Sequence, residues 1–337
     1  MIDLLLTSPT IMPLVFAALM GICMLVYAIM DGFDLGVGLL LPLVDDRDKD
    51  RMIASIGPFW DANETWLVFG VGILLVAFPV AHGVILTELY LPVAIMLFGL
   101  IIRGVAFDFR LKVHSDKKDR WNKAFFWGSF ITSFAQGYML GHYILGFAGG
   151  WTEFLFAGIV GLLLCAGYIL IGACWLIMKT ENPLQKRAAV WAGKALYGVI
   201  AGILIVSLAT PLTSTRIFEK WFNLETMIGL APIPLLTGVF IVFLAIFLRQ
   251  IPLKEDHWNW VPFVVTVGIY ILCFQGLAYS FYPYIVPEQL TIVESASAPE
   301  SLLIILCGAL AVLPMIIGYT IYIHYVFGGK STDLSYD

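Results

Sequence analysis

Long apolar runs constrain the fold of this chain more than any other feature. Nine stretches are long and apolar enough to cross a bilayer: 12–41, 53–78, 83–109, 122–147, 153–178, 192–213, 226–248, 260–284 and 301–327. About 20 such residues span the hydrocarbon as a helix. Backbone amides find no water there, so an isolated span must bond its own backbone. Of the 337 residues, 60% are hydrophobic and 13% charged, against about 25% charged in soluble domains. The expected fold is all-α: nine transmembrane helices in a single integral membrane domain over residues 1–337. Two four-helix bundles plus one peripheral helix accommodate that number.

The basic residues set the orientation. Of 19 Lys and Arg, 16 fall in alternate loops and the C-terminal tail. Only Arg216 and Lys220 fall on the other side, and Arg103 lies within the third span. The positive-inside rule places the N-terminus outside and the C-terminus in the cytoplasm. The N-terminal stretch MIDLLLTSPTIMP has no basic region and no small-residue cleavage site, so the first span is expected to be retained. Spans two and three are separated by little more than Pro79–His82, which predicts a tight antiparallel hairpin. Pro92 is expected to kink the third span. The acidic segment 285–300 reads as an outer loop with room for flexibility.

Against this apolar background stand a few ionisable residues. Asp31 and Asp34 lie on span one, Asp61 and Glu64 on span two, and Arg103 and Asp108 on span three. At 1.5 Å per residue, Asp34 and Arg103 lie about 10 Å from the cytoplasmic end, and Asp61 about 15 Å. Each acid pair is spaced i,i+3 and shares a helix face. Gly32 and Gly36 form a GxxxG, followed by Gly38, which lets another helix approach closely. Four carboxylates face one cation, and in low dielectric they cannot all be ionised without further partners. Either some are protonated, or another chain supplies positive charge, or water reaches them. A structural ion pair of Arg103 with Asp34 or Asp61 accounts for two of these groups, and proton handling accounts for the rest.

Other chemistry is sparse. The five cysteines lie in apolar spans without a CxxC, which suits small core residues. His82 and His142 lie at span ends near the outer side, and no histidine pair has metal-ligand spacing. Nothing points to nucleic acid. A proton-coupled secondary transporter would carry similar acids, but it would show interrupted helices in matching halves, and no such pair is evident.

Three motifs carry a resemblance. Met30–Pro42 (MDGFDLGVGLLLP), Gly57–Leu67 (GPFWDANETWL) and Arg103–Arg110 (RGVAFDFR) resemble subunit II of the cytochrome bd-type quinol oxidases. The likeness has specific motifs over the first three to four spans and rests on span number and general character beyond about residue 150. It implies a bacterial cytoplasmic membrane protein that pairs with a larger subunit I. Subunit I would hold heme b and heme d, while this chain closes the heme pocket and helps to deliver cytoplasmic protons. The complex would oxidise quinol, reduce O2 to water and build proton motive force without pumping. The resemblance sets the chain among lipid and quinone and leaves room for a small single-span subunit. Asp34 matches the acid of the family's GFD motif. Trp60, Asp61, Asn63 and Trp66 match its WDGN-type motif, with Asp61 the acid expected on a proton path. Arg103 and Asp108 match the basic and acidic residues at the inner end of the third span. Ala62 departs from the family, which has glycine there. No catalytic residue and no metal ligand is expected on this chain itself.

Overall fold

A computed structural model describes residues 10–113, 115–253 and 256–331. It is helical almost throughout. Helix α1 is Ile11–Leu40, α2 Asp46–Ile56, α3 Trp60–Ala77 and α4 Pro79–Lys112. Then follow α5 (Ser115–Ile144), α6 (Trp151–Lys179), α7 (Asn182–Ala209), α8 (Thr215–Phe222), α9 (Leu224–Leu230), α10 (Pro232–Leu248) and α11 (Val261–Phe281). A short antiparallel hairpin, β1 (Tyr284–Val286) with β2 (Leu290–Thr291), precedes α12 (Pro299–Val326).

Seven of these helices are long and apolar enough to cross a membrane, or eight if α2 and α3 together make one broken span. The expected second span, 53–78, is thus corrected. The helix breaks over Gly57–Phe59 and restarts at Trp60, where Pro58 supplies no backbone N–H for a continuous ladder. The stretch expected as span four lies in α5, which has 30 residues but begins with the polar run SDKKDRWNK. Only Phe78 separates α3 from α4, so the predicted tight connection is present. Segment 285–300, which links α11 to α12, contains most of the hairpin and bonds to α3 through Ser297.

The chain divides into two compact units. The first holds 1–31, 58–88 and 281–328; the second holds 32–57, 89–280 and 329–337. In the first unit, Gly70 of α3 packs on Cys23 and Met24 of α1. Phe59, just before α3, lies 4.5 Å between ring centroids from His324 of α12. The C-terminal end of α3 is closed by Ser297, whose N–H donates to Ala77 O at 2.9 Å and whose hydroxyl donates to Val76 O at 2.8 Å. These bonds satisfy carbonyls that a helix end leaves unpaired.

In the second unit the glycine motif does what its spacing predicts. A Cβ on Gly36 would collide with the Tyr168 carbonyl, and one on Gly172 would lie 2.6 Å from Gly36 C. The backbones of α1 and α6 therefore touch. Phe33 stacks on Trp175 at 4.1 Å, and the Trp175 indole N–H donates to Ser55 O at 3.2 Å. Helices α4 and α5 meet as closely at Gly99 and Gly128, where a Cβ on Gly128 would lie 2.8 Å from Gly99 O. Small residues at such crossings replace the hydrophobic drive that is missing between helices in lipid.

Candidate functional site: two kinds of membrane acid

The close packing of α1, α4 and α5 explains how an aspartate and an arginine are held away from lipid. Asp34 and Arg103 are both fully buried, and Asp34 Oδ2 lies 3.8 Å from Arg103 Nη2. Arg103 also stands 5.8 Å from the centre of the Phe125 ring, a distance at which the ring face attracts the cation. The ion pair is therefore Asp34 with Arg103, one of the two options left open by the sequence.

Helix register extends this arrangement. Met96, Gly99, Arg103, Ala106 and Arg110 form a buried stripe on α4. Arg110 is itself buried. Its Nε donates to Asn122 Oδ1 at 2.5 Å, and its Nη2 donates to Asp50 Oδ1 at 2.6 Å. Lys118 also approaches Asp50, at 3.5 Å, and Arg187 pairs with Asp48. Arg110 is thus a residue of α4 with Asp50 in its polar surroundings, while Asp48 of α2 belongs to the Arg187 pair. The spacing of seven from Arg103 was the available signal, since it places both arginines on one helix face. The acids of α2 offered none, because their partners lie far away in sequence.

Asp31 is buried on α1 in the first unit, and so is Asn63 on α3. Asn63 Nδ2 donates to Met30 O at 3.3 Å, tying the two helices at this level. Phe59, Asn63, Trp66 and Gly70 make the buried face of the segment that becomes α3. The Trp66 indole nitrogen is buried and makes no hydrogen bond among the described residues.

Asp61 lies on the opposite face. It is exposed, in line with exposed Thr65 and Val68. Among the described residues it has no hydrogen bond and no ion pair. It stands in the first turn of α3, where the positive end of the helix dipole favours a carboxylate. Trp60 and Glu64, one turn apart, are half-exposed. Asp108 on α4 is likewise exposed and without a partner among the described residues.

Three of the described histidines lie in separate surroundings. His142 packs between Tyr138 and Phe147, with its Nδ1 buried. His324 holds the Thr320 carbonyl through Nδ1 at 2.8 Å. His82 lies in the first turn of α4.

Comparison with known proteins shows the family. The family described as cytochrome bd terminal oxidase subunit II matches residues 12–327. Cytochrome bd ubiquinol oxidase subunit 2 of Bacillus subtilis is 30% identical over 88% of this chain and 90% of its own length. Cytochrome bd-I ubiquinol oxidase subunit 2 of Escherichia coli is 26% identical over 93% of both chains. The bd oxidase structure from Geobacillus thermodenitrificans shares the fold with a TM-score of 0.59, over 93% of this chain and 98% of that one, at 10% identity. These matches remove the transporter alternative: the chain belongs to the family of subunit II of the cytochrome bd terminal oxidases.

Proposed function

We propose that this chain pairs with a heme-bearing subunit I in a quinol:O2 oxidoreductase and conducts cytoplasmic protons towards it. In that complex heme b and heme d, held by subunit I, supply the reduction of O2. The reading includes nine spans in one membrane domain, two four-helix groups and a ninth helix, with the N-terminus outside. The buried Asp34–Arg103 pair serves structure. Asp61 serves transfer: its carboxylate takes a proton from water on the cytoplasmic side, becomes neutral, and releases that proton to an acceptor on subunit I. Glu64, Asp31 and Asp108 belong to the same polar set.

The observation that carries this reading is the placement of Asp61. An ionisable group within a membrane span is costly unless protein or water meets it. Asp61 is exposed on its own chain and has no partner among the described residues. A second subunit supplies what is missing. The test is to purify the complex and compare heme absorbance, quinol:O2 turnover and proton uptake between wild type and Asp61→Asn. Full heme content with slowed turnover and uptake is the expected result. Full heme content with unchanged turnover removes the role from Asp61, and a chain isolated without a heme-bearing partner removes the reading as a whole.

A further inference from the structure

The two cations on the lysine-poor side, Arg216 and Lys220, both lie on the short helix α8. One edge of α8 is fastened to the end of α11. Arg216 Nη1 donates to Ser280 O at 3.4 Å, Lys220 Nζ donates to Tyr279 O at 2.6 Å, and the Trp221 indole N–H donates to Ser280 Oγ at 2.9 Å. Lys220 also stands 4.3 Å above the Tyr279 ring. Cations at the last carbonyls of a helix suit the negative end of its dipole. Burial, and then the neighbouring Arg216, hold the Lys220 ammonium below its usual range. Ile217 is buried on the same edge.

The other edge is apolar and faces away. Phe218 and Phe222, spaced i,i+4, lie 4.7 Å apart between ring centroids. They are 47% and 60% exposed, with Leu212 before them at 79% and Ile228 after them at 74%. Such an exposed patch marks an interaction surface. What covers it follows from where it sits. One candidate span ends at Leu212 and the next begins at Met227. Helix α8 starts three residues beyond the first and ends five before the second. A peptide tethered so closely at both ends stays within about 10 Å of the membrane boundary. The two flanking spans also carry exposed apolar side chains, Leu204 and Leu208 on α7 and Leu235 and Val239 on α10.

We propose that α8 is an interfacial helix whose Phe218–Phe222 edge inserts among the phospholipids of the outer leaflet, with Arg216 and Lys220 at the level of the phosphates. Aromatic rings prefer that layer, and an amphipathic helix lies in the membrane plane with its apolar face in the acyl boundary. Through its bonds to Tyr279 and Ser280, α8 fixes the end of α11 at the lipid surface.

The test uses the assembled oxidase carrying Phe222→Cys and Cys307→Ser, labelled at residue 222 with an environment-sensitive fluorophore. The sample is reconstituted in nanodiscs of phosphatidylcholine and phosphatidylglycerol. A blue-shifted emission is expected, quenched several-fold more by lipid spin-labelled near the headgroup than by lipid labelled at the acyl terminus. Quenching by aqueous iodide without lipid quenching overturns the proposal, because the edge then faces water. Shielding from both quenchers overturns it too, because another protein surface then covers the edge. Phe218→Cys, on the same edge, gives the same decision if the first variant fails to assemble.

Discussion

Asp34 and Asp61 are the same residue type, both within membrane helices, yet their surroundings are opposite. Asp34 is fully buried and faces a fully buried arginine, where the packing of three helices excludes lipid. Asp61 stands on an exposed helix face, in a first turn, with no side-chain hydrogen bond or ion pair among the described residues. Partners distinguish them. A carboxylate with a fixed counter-charge is held in one protonation state, because losing the charge would leave its partner alone. A carboxylate without one is free to change state. The first arrangement suits a joint between helices and the second suits transfer.

The largest effect is expected at the joint. Arg103→Ala leaves buried acid uncompensated and should cost about 3–5 kcal/mol, seen as loss of assembled complex in membranes. Replacing both partners by apolar residues, Asp34→Leu with Arg103→Met, should recover much of that assembly, since a buried pair is often no better than apolar packing. Recovered assembly with no turnover would break the comparison, because the pair would then belong to the proton route. Asp61→Asn should slow turnover by about a hundredfold, the lower end for removing a positioned proton-transfer group, with heme content unchanged. Asp61→Glu should restore most of it. Rescue by Glu but not Asn sharpens the distinction, since a merely structural position would be indifferent to charge.

A smaller effect is expected where the joint is made close. Gly36→Ala forces a methyl against the Tyr168 backbone and should cost about 1–3 kcal/mol through overpacking, measured as a lowered midpoint of thermal inactivation. The smallest lies outside the membrane. Bonds from the Thr291 hydroxyl and backbone N–H hold the Glu294 carboxyl below its ordinary value of 4.5. Its contribution to the hairpin is therefore present above that value and is lost as pH falls through the lowered one. Hydrogen exchange of the β1–β2 amides should quicken over that acid range in wild type. Glu294→Gln should flatten the response.

Sequence showed the joint better than the opening. Apolar length marked most of the helices, and counting residues from the cytoplasmic end brought Asp34 and Arg103 to one level before any geometry was known. The glycine spacing on α1 foretold a close neighbour but not which one, since Tyr168 and Gly172 lie far along the chain. The break at Gly57–Phe59 stayed hidden within an apolar run, where hydropathy does not distinguish a turn from a helix. The Asp50–Arg110–Asn122 contact stayed hidden for a related reason: a loop charge shows its sign in the sequence, not its partner. The outward aim of Asp61 was legible only after Phe59, Asn63 and Trp66 were seen to share the buried face.

The end of α6 carries one more consequence. Its last carbonyls are closed partly by Gln185, which donates to Ile177 O at 3.0 Å. They are also closed by residues some 150 positions later: Ser331 donates to Lys179 O at 2.8 Å from its backbone N–H, and Lys330 Nζ donates to Thr180 O at 3.0 Å. At about 5–20 residues per second of synthesis, the helix waits roughly 10–30 s for those partners. During that interval these C-terminal carbonyls lack part of their final set of donors. The end of α6 is therefore completed only after every later helix of the chain has been made.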